Sequence, residues 1–256
     1  MTKILFDSIQ PQLKLIVKAI QKAAGEDSRE FRQANNLVTL NSARTIISDF
    51  INTNLNDSVV SESLELRKFT RFGWEGCILI DRINKLTFSI CSKNTLDRIR
   101  KDLDRKHPHY LQTLLNVLNS CVKPRTVQLM LFDIEPVQLF SEEEYILDYR
   151  KIMGDDVFPE DGYTHWVIVY RVCKYCVESI SMIKLDRFFQ LSEEIRLEDM
   201  LLPDFGDLTI EDTSSKRMKD VHSLVKLKDK GLTSQNGSNG SVVKVSLKTN
   251  EEQNEA

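Results

Sequence analysis

The run His165-Trp166-Val167-Ile168-Val169-Tyr170 fits a β-strand and little else, because β-branched and aromatic side chains follow one another with no turn former between them. After the turn-like Cys173-Lys174-Tyr175-Cys176, period-two alternation returns. Val177, Ser179, Ser181 and Ile183 alternate with Glu178, Ile180, Met182 and Lys184, which predicts an antiparallel partner strand. A short strand around Phe188-Phe189-Gln190 is expected to extend the sheet. The same grammar appears a hundred residues earlier. Leu64, Leu66 and Lys68 alternate with Glu65, Arg67 and Phe69, and Cys77-Ile78-Leu79-Ile80 reads as a buried strand. Asp81-Arg82-Ile83-Asn84-Lys85 supplies turn chemistry before a hairpin mate at Leu86–Cys91.

Helical periodicity surrounds these strand blocks. Ile9, Leu13, Ile16, Val17 and Ile20 form an apolar stripe over residues 9–24, with Gly25 as the expected C-cap. Ile46, Ile47, Phe50 and Ile51 mark a second helix over 42–55, capped by Asn41 or Ser42. A charged helix is expected from Asn94 or Thr95 to about Lys106, and another from Pro108, in its first turn, to Asn119. Ser141 with Glu144 forms a capping box, Phe140 with Tyr145 has staple spacing, and Gly154 ends that helix. Hairpin strands with helices grouped before and between them imply an α+β fold with a mainly antiparallel sheet. One globular domain is expected over residues 1–211 and a disordered polar tail over 212–256, where Lys, Ser, Asn, Gly and Glu dominate. The tail's apolar island, Val242–Leu247, fits either a chance pattern or a strand that adds to a partner's sheet.

Composition excludes more than it selects. A net charge of -3 supplies no global field toward nucleic acid or membranes, no run is long and apolar enough to span a bilayer, and five scattered cysteines argue against a disulfide framework. A cytoplasmic protein without cofactors follows. Glycine-rich phosphate loops, G-x-S-x-G and H-E-x-x-H are all missing from the sequence. Cys173 and Cys176 are expected at a hairpin turn, and His107-Pro108-His109 at a helix start rather than on a metal. Glu65, Asp81 and Lys85 would make a nuclease-like set only in a particular register. The stretch Arg67-Lys68-Phe69-Thr70-Arg71-Phe72-Gly73-Trp74 mixes cations and aromatics. It suits either a strand end or a nucleic-acid surface in which Arg67, Lys68, Arg71 and Trp74 make the contacts.

The most specific local pattern is Val127-Gln128-Leu129-Met130-Leu131-Phe132-Asp133, set between Pro124 and Pro136. Buried, it is one more strand; exposed, it is a peptide ligand. Gln128–Phe132 matches the Q-L-x-L-F pattern of bacterial sliding-clamp ligands, with Met130 at the tolerant position. Gln128 would orient the peptide through its amide, Leu131 and Phe132 would anchor it, and Leu129 would support them.

The run Phe69-Thr70-Arg71-Phe72-Gly73-Trp74-Glu75-Gly76 leading into Ile80-Asp81, with Pro108-His109-Tyr110-Leu111-Gln112-Thr113 ahead of the Q-L-x-L-F segment, resembles a bacterial family of ClpXP-sensitive toxins. The resemblance covers roughly residues 50–205 and assigns no catalytic residues. It implies a toxin of a toxin–antitoxin pair, with a cognate antitoxin and the ClpXP protease as partners. By analogy with SocB-like toxins it implies binding to the DNA sliding clamp and a block to replication. The resulting expectation is a clamp-binding toxin rather than an enzyme. The alternative is a nucleic-acid-binding or nuclease-type toxin or phage-defence protein that uses the Arg67–Trp74 patch.

Overall fold

The computed structural model describes residues 3–36, 43–61, 63–102, 105–125, 140–155 and 157–203. The chain opens with helix α1 (Lys3–Lys22), which passes through a π-helical turn, Ala23–Asp27, into α2 (Ser28–Ala34). Gly25 is therefore buried inside a continuing helix and is not the expected C-cap. Two carbonyls around the widened turn find side-chain donors, Ala23 O from Ser28 Oγ at 2.6 Å and Ala19 O from Asn54 Nδ2 at 3.3 Å, and Asn54 Nδ2 also donates to the Asp27 carboxylate at 2.7 Å. Those bonds let the helix proceed where a glycine usually stops one. Asn54 belongs to α3 (Ala43–Ser58).

Six strands follow, with helices inserted midway: β1 (Leu64–Arg71), β2 (Trp74–Asp81), β3 (Leu86–Ser92), α4 (Lys93–Lys101), α5 (Tyr110–Leu118), α6 (Glu142–Met153), β4 (Thr164–Cys173), β5 (Cys176–Leu185) and β6 (Leu191–Arg196). They form a single sheet in sequence order, antiparallel at every joint except β3–β4. That one parallel joint, running from Leu86↔Thr164 to Ser92↔Tyr170, needs a crossover, and the three inserted helices supply it. The expected α+β fold with a mainly antiparallel sheet is thus present, with one parallel pair joining two meanders.

Both sheet faces are covered. Ile9, Leu13, Ile16, Ile20, Ile51 and Leu55 from α1 and α3 meet Leu79, Phe88, Trp166, Ile168 and Met182 on one face. Leu96, Leu111, Leu114, Leu115, Tyr149 and Ile152 from the inserted helices meet Ile78, Ile80, Val167, Val169 and Ile183 on the other. This explains why β4 reads as an unbroken apolar run, since alternate side chains both find a core.

Several helix and strand limits shift for identifiable reasons. Ser92, not Asn94 or Thr95, caps α4 by accepting from Thr95 N at 3.2 Å, and α4 stops at Lys101, where Arg105 Nη2 donates to Ile99 O. His109 caps α5, so Pro108 precedes the helix. The expected strand at Phe188–Gln190 is a turn: Asp186 Oδ1 accepts from Phe188 N at 2.9 Å and from Gln190 N at 2.7 Å, and Phe189 adopts φ 62°. All described elements lie in one compact unit, Met1–Pro203. The expected boundary at residue 211 and the Val242–Leu247 island lie outside the described residues. No described helix is long and apolar enough to cross a membrane.

Candidate functional site

Gln128, Leu129, Leu131 and Phe132 lie outside the described residues, but their flanks do not. On one side Arg125 N donates to Leu191 O at 2.8 Å, fastening the chain at the start of β6. On the other, the Phe140 ring meets Tyr145 edge-on at 6.0 Å, and Ser141 and Glu144 close the anticipated capping box at the start of α6. The pentapeptide therefore belongs to a connection fixed to the fold at both ends. Gln128 stands three residues after Arg125, and Phe132 eight before Phe140.

The Arg67–Trp74 patch is divided by the strand pleat. Register pairs Arg71 with Trp74 and Phe69 with Gly76, which sets Arg67, Phe69, Arg71 and Trp74 on the face of the inserted helices. Lys68 and Thr70 project from the opposite face and are exposed. Arg71 points inward. Its Nη2 donates to Asp148 Oδ1 at 2.7 Å and to Pro108 O at 2.8 Å, with both side chains of the ion pair about nine-tenths buried. Asp148 Oδ2 also accepts from the Thr113 hydroxyl. Arg67 Nε donates to Ile152 O at 3.0 Å. Arg67 thus ties β1 to α6, and Arg71 braces β1 against α6 and the approach to α5, so the Arg71 guanidinium is not presented to a phosphate as a patch of surface cations would require.

On the face of the inserted helices, what remains exposed is aromatic. Phe72 and Gly73, with φ 49° and 77°, form the two-residue turn between β1 and β2, and both positive values suit a type I′ hairpin. Phe72 is 74% exposed and Trp74 49%. His107 stacks on Phe72 with centroids 4.6 Å apart and planes 18° apart, and Trp74 stacks on Tyr110 at 5.3 Å and 27°. Phe69 fills the space beneath, edge-on to Trp74 at 5.7 Å. Gly76 makes room for this packing: a Cβ there would lie 2.6 Å from atoms of both Phe69 and Trp74.

The other candidate groups have local tasks. Glu65 pairs with Ile80 and Asp81 with Leu64 in the register, so the two carboxylates point to opposite faces. Asp81 Oδ1 accepts from Ile83 N and Asn84 N at 3.0 and 2.9 Å, Glu65 binds Arg82, and Lys85 sits over the Tyr163 ring. The nuclease-like set is not assembled. Cys173 and Cys176 are Cα partners flanking the β4–β5 turn, as expected, and both are free thiols. His107 and His109 serve stacking and capping. Among the described residues no group of three or more His, Cys, Asp or Glu is placed to hold a metal.

One buried polar network escaped sequence reading. His165 is 0% exposed, with Thr87 Oγ1 at 2.8 Å from Nδ1 and Ser89 Oγ at 2.8 Å from Nε2. Burial pushes its pKa down to about 3. It is therefore neutral, and the two rotatable hydroxyls satisfy whichever tautomer forms. Asn119 completes the network, accepting from His165 N at 2.9 Å and donating to His165 O and Leu185 O at 2.8 Å. A histidine amid the apolar β4 run and an asparagine directly after α5 were the available signals. Sealed from solvent, this set ties the parallel joint together and offers no substrate access.

The model of a family of unknown function, DUF5986, matches residues 7–245. No curated protein matches the chain, and no solved structure does.

Proposed function

The chain belongs to DUF5986, and within that family of unknown function we propose that it is a clamp-binding toxin: Gln128–Phe132 occupies the peptide pocket of a bacterial DNA sliding clamp and excludes the replication proteins that need it. The observation that carries this reading is the Q-L-x-L-F pentapeptide in a connection whose two ends are fastened to the fold, at Arg125 and at the Phe140–Ser141 cap. Fixed ends limit the conformations the peptide loses on binding, which favours affinity. Leu131 and Phe132 provide adjacent apolar anchors, and the Gln128 amide provides orientation. Among the candidate residues, Arg67, Arg71, Asp81, Asp148 and His165 are each engaged in holding the fold. A cognate antitoxin and ClpXP complete the proposed system, on the strength of the resemblance described above.

The test is competition. Full-length protein should displace a labelled clamp-binding peptide from purified clamp, and the double variant Leu131→Ala with Phe132→Ala should not, while its melting temperature stays unchanged. A double variant that loses its cooperative melt would identify the segment as core and end the proposal.

A further inference from the structure

We infer that the β1–β2 hairpin tip, with His107 beside it, is a stacking site for single-stranded nucleic acid. The inference is independent of the clamp segment and rests on residues different from the arginines that the sequence suggested. Phe72 occupies a position that sequence preference gives to Asn, Asp or Gly, since its φ is 49°. An aromatic ring kept against that preference, and left 74% exposed, is better suited to a ligand than to the turn. The exposed rings are held by neighbours: Trp74 stacks on Tyr110 at 5.3 Å, and Phe72 stacks on His107 at 4.6 Å with the Arg71 guanidinium carbon 5.3 Å from its centroid. Flat, exposed rings held in place by their neighbours are what unstacked bases lie on.

The surrounding charge selects the ligand. Arg98 and Lys106 are exposed and form no ion pair with any described carboxylate; of the nearby acids, Asp102 and Asp148 are occupied by Arg105 and Arg71, and Glu75 beside Trp74 is exposed. His109, between these groups, has its pKa lowered to about 3, first by burial and then by Arg105, Arg71 and Arg98, with Asp102 alone opposing. The field at His109, which packs against Tyr110, is therefore positive although the whole chain carries -3. A positive rim beside open aromatic faces complements a polyanion with exposed bases, and a duplex hides those bases.

Trp74 reports directly on the site, because the other tryptophan, Trp166, is 2% exposed and supplies a constant background. Full-length protein, with Gln128–Phe132 intact, is titrated at low salt with oligothymidylate and oligouridylate of about 12 nucleotides, within the usual site size for stacking surfaces. Saturable quenching that weakens with added salt is expected, and binding of either polymer supports the site. Phe72→Asn should weaken binding about tenfold, with a melting temperature equal to or above that of the parent because asparagine suits the turn. Lys106→Glu should weaken binding and flatten its salt dependence without touching the hairpin. The inference is overturned if no saturable quenching occurs, if duplex of the same length binds equally well, or if both variants bind like the parent.

Discussion

Replacing Arg71 by methionine tests the most consequential reassignment, from surface cation to internal brace. The guanidinium lies 2.7 Å from Asp148 Oδ1 and 2.8 Å from Pro108 O, with only 8% of its side chain and 10% of that of Asp148 exposed. A surface ion pair would contribute ~0–1 kcal/mol. Removing one partner of a buried pair costs about 3–5 kcal/mol instead, because the remaining carboxylate keeps its desolvation penalty without its counter-charge. Here Asp148 would retain the Thr113 hydroxyl alone among the partners described above. Against a typical domain stability of roughly 5–15 kcal/mol, the loss is large enough to displace a urea transition plainly. Urea unfolding followed by the fluorescence of buried Trp166 measures it. The double variant Arg71→Met with Asp148→Leu should regain more than half of the loss, since an apolar pair of similar volume carries no uncompensated charge. If Arg71→Met alone changes stability by less than about 1 kcal/mol, the pair is solvated in solution and the reasoning fails. A corollary concerns ligand binding: loss of nucleic-acid binding in an Arg71 variant would report damage to the fold, which is why the stacking site is tested at Phe72 and Lys106.

Acid should destabilise the protein through His165, whose folded pKa of about 3 lies below its ordinary 6.5. Above pH 6.5 both states are neutral and the stability is fully present; below it the unfolded chain takes a proton that the folded chain refuses. His165 should therefore remove about 2 kcal/mol between pH 7 and pH 5, and His109, lowered likewise to about 3, about as much again, read by urea unfolding at each pH; a flat profile would contradict it. Gly154→Ala should destabilise by more than about 1 kcal/mol, because φ is 61° there and a Cβ would lie 2.2 Å from Arg67 Nη2. A thermal melt equal to the parent's would contradict both the backbone strain and the close approach of Arg67.

What the sequence made legible is what neighbours in the chain decide. The Ser141–Glu144 capping box, the Phe140–Tyr145 staple, the Gly154 stop and the hairpin turns at Asp81–Lys85 and Cys173–Cys176 all involve residues a few positions apart, and all are present. The misreadings involve partners far away or a local competitor overlooked. Gly25 looked like a helix end because Asn54, in another helix, could not be seen to satisfy the π turn. Arg71 looked like a surface cation because Asp148 is 77 residues distant. The parallel β3–β4 joint depends on where the crossover helices return the chain, which alternation does not encode. Phe188–Gln190 was different: Asp186 stood beside it, and its side chain won the backbone donors that a strand would have needed. Of the candidate site, the aromatic composition of the hairpin was readable, but not which rings remain open, since that depends on Tyr110 and His107 arriving from beyond α4.

Hydrogen exchange of residues 126–139, measured in the full chain with and without purified sliding clamp, tests the central claim most directly. The account predicts fast exchange across Gln128–Phe132 in the free protein and strong protection there when the clamp is added, with β3 and β4 protected equally in both states. Protection of Gln128–Phe132 to the level of β4 before any clamp is added, or no change on adding it, would contradict the account.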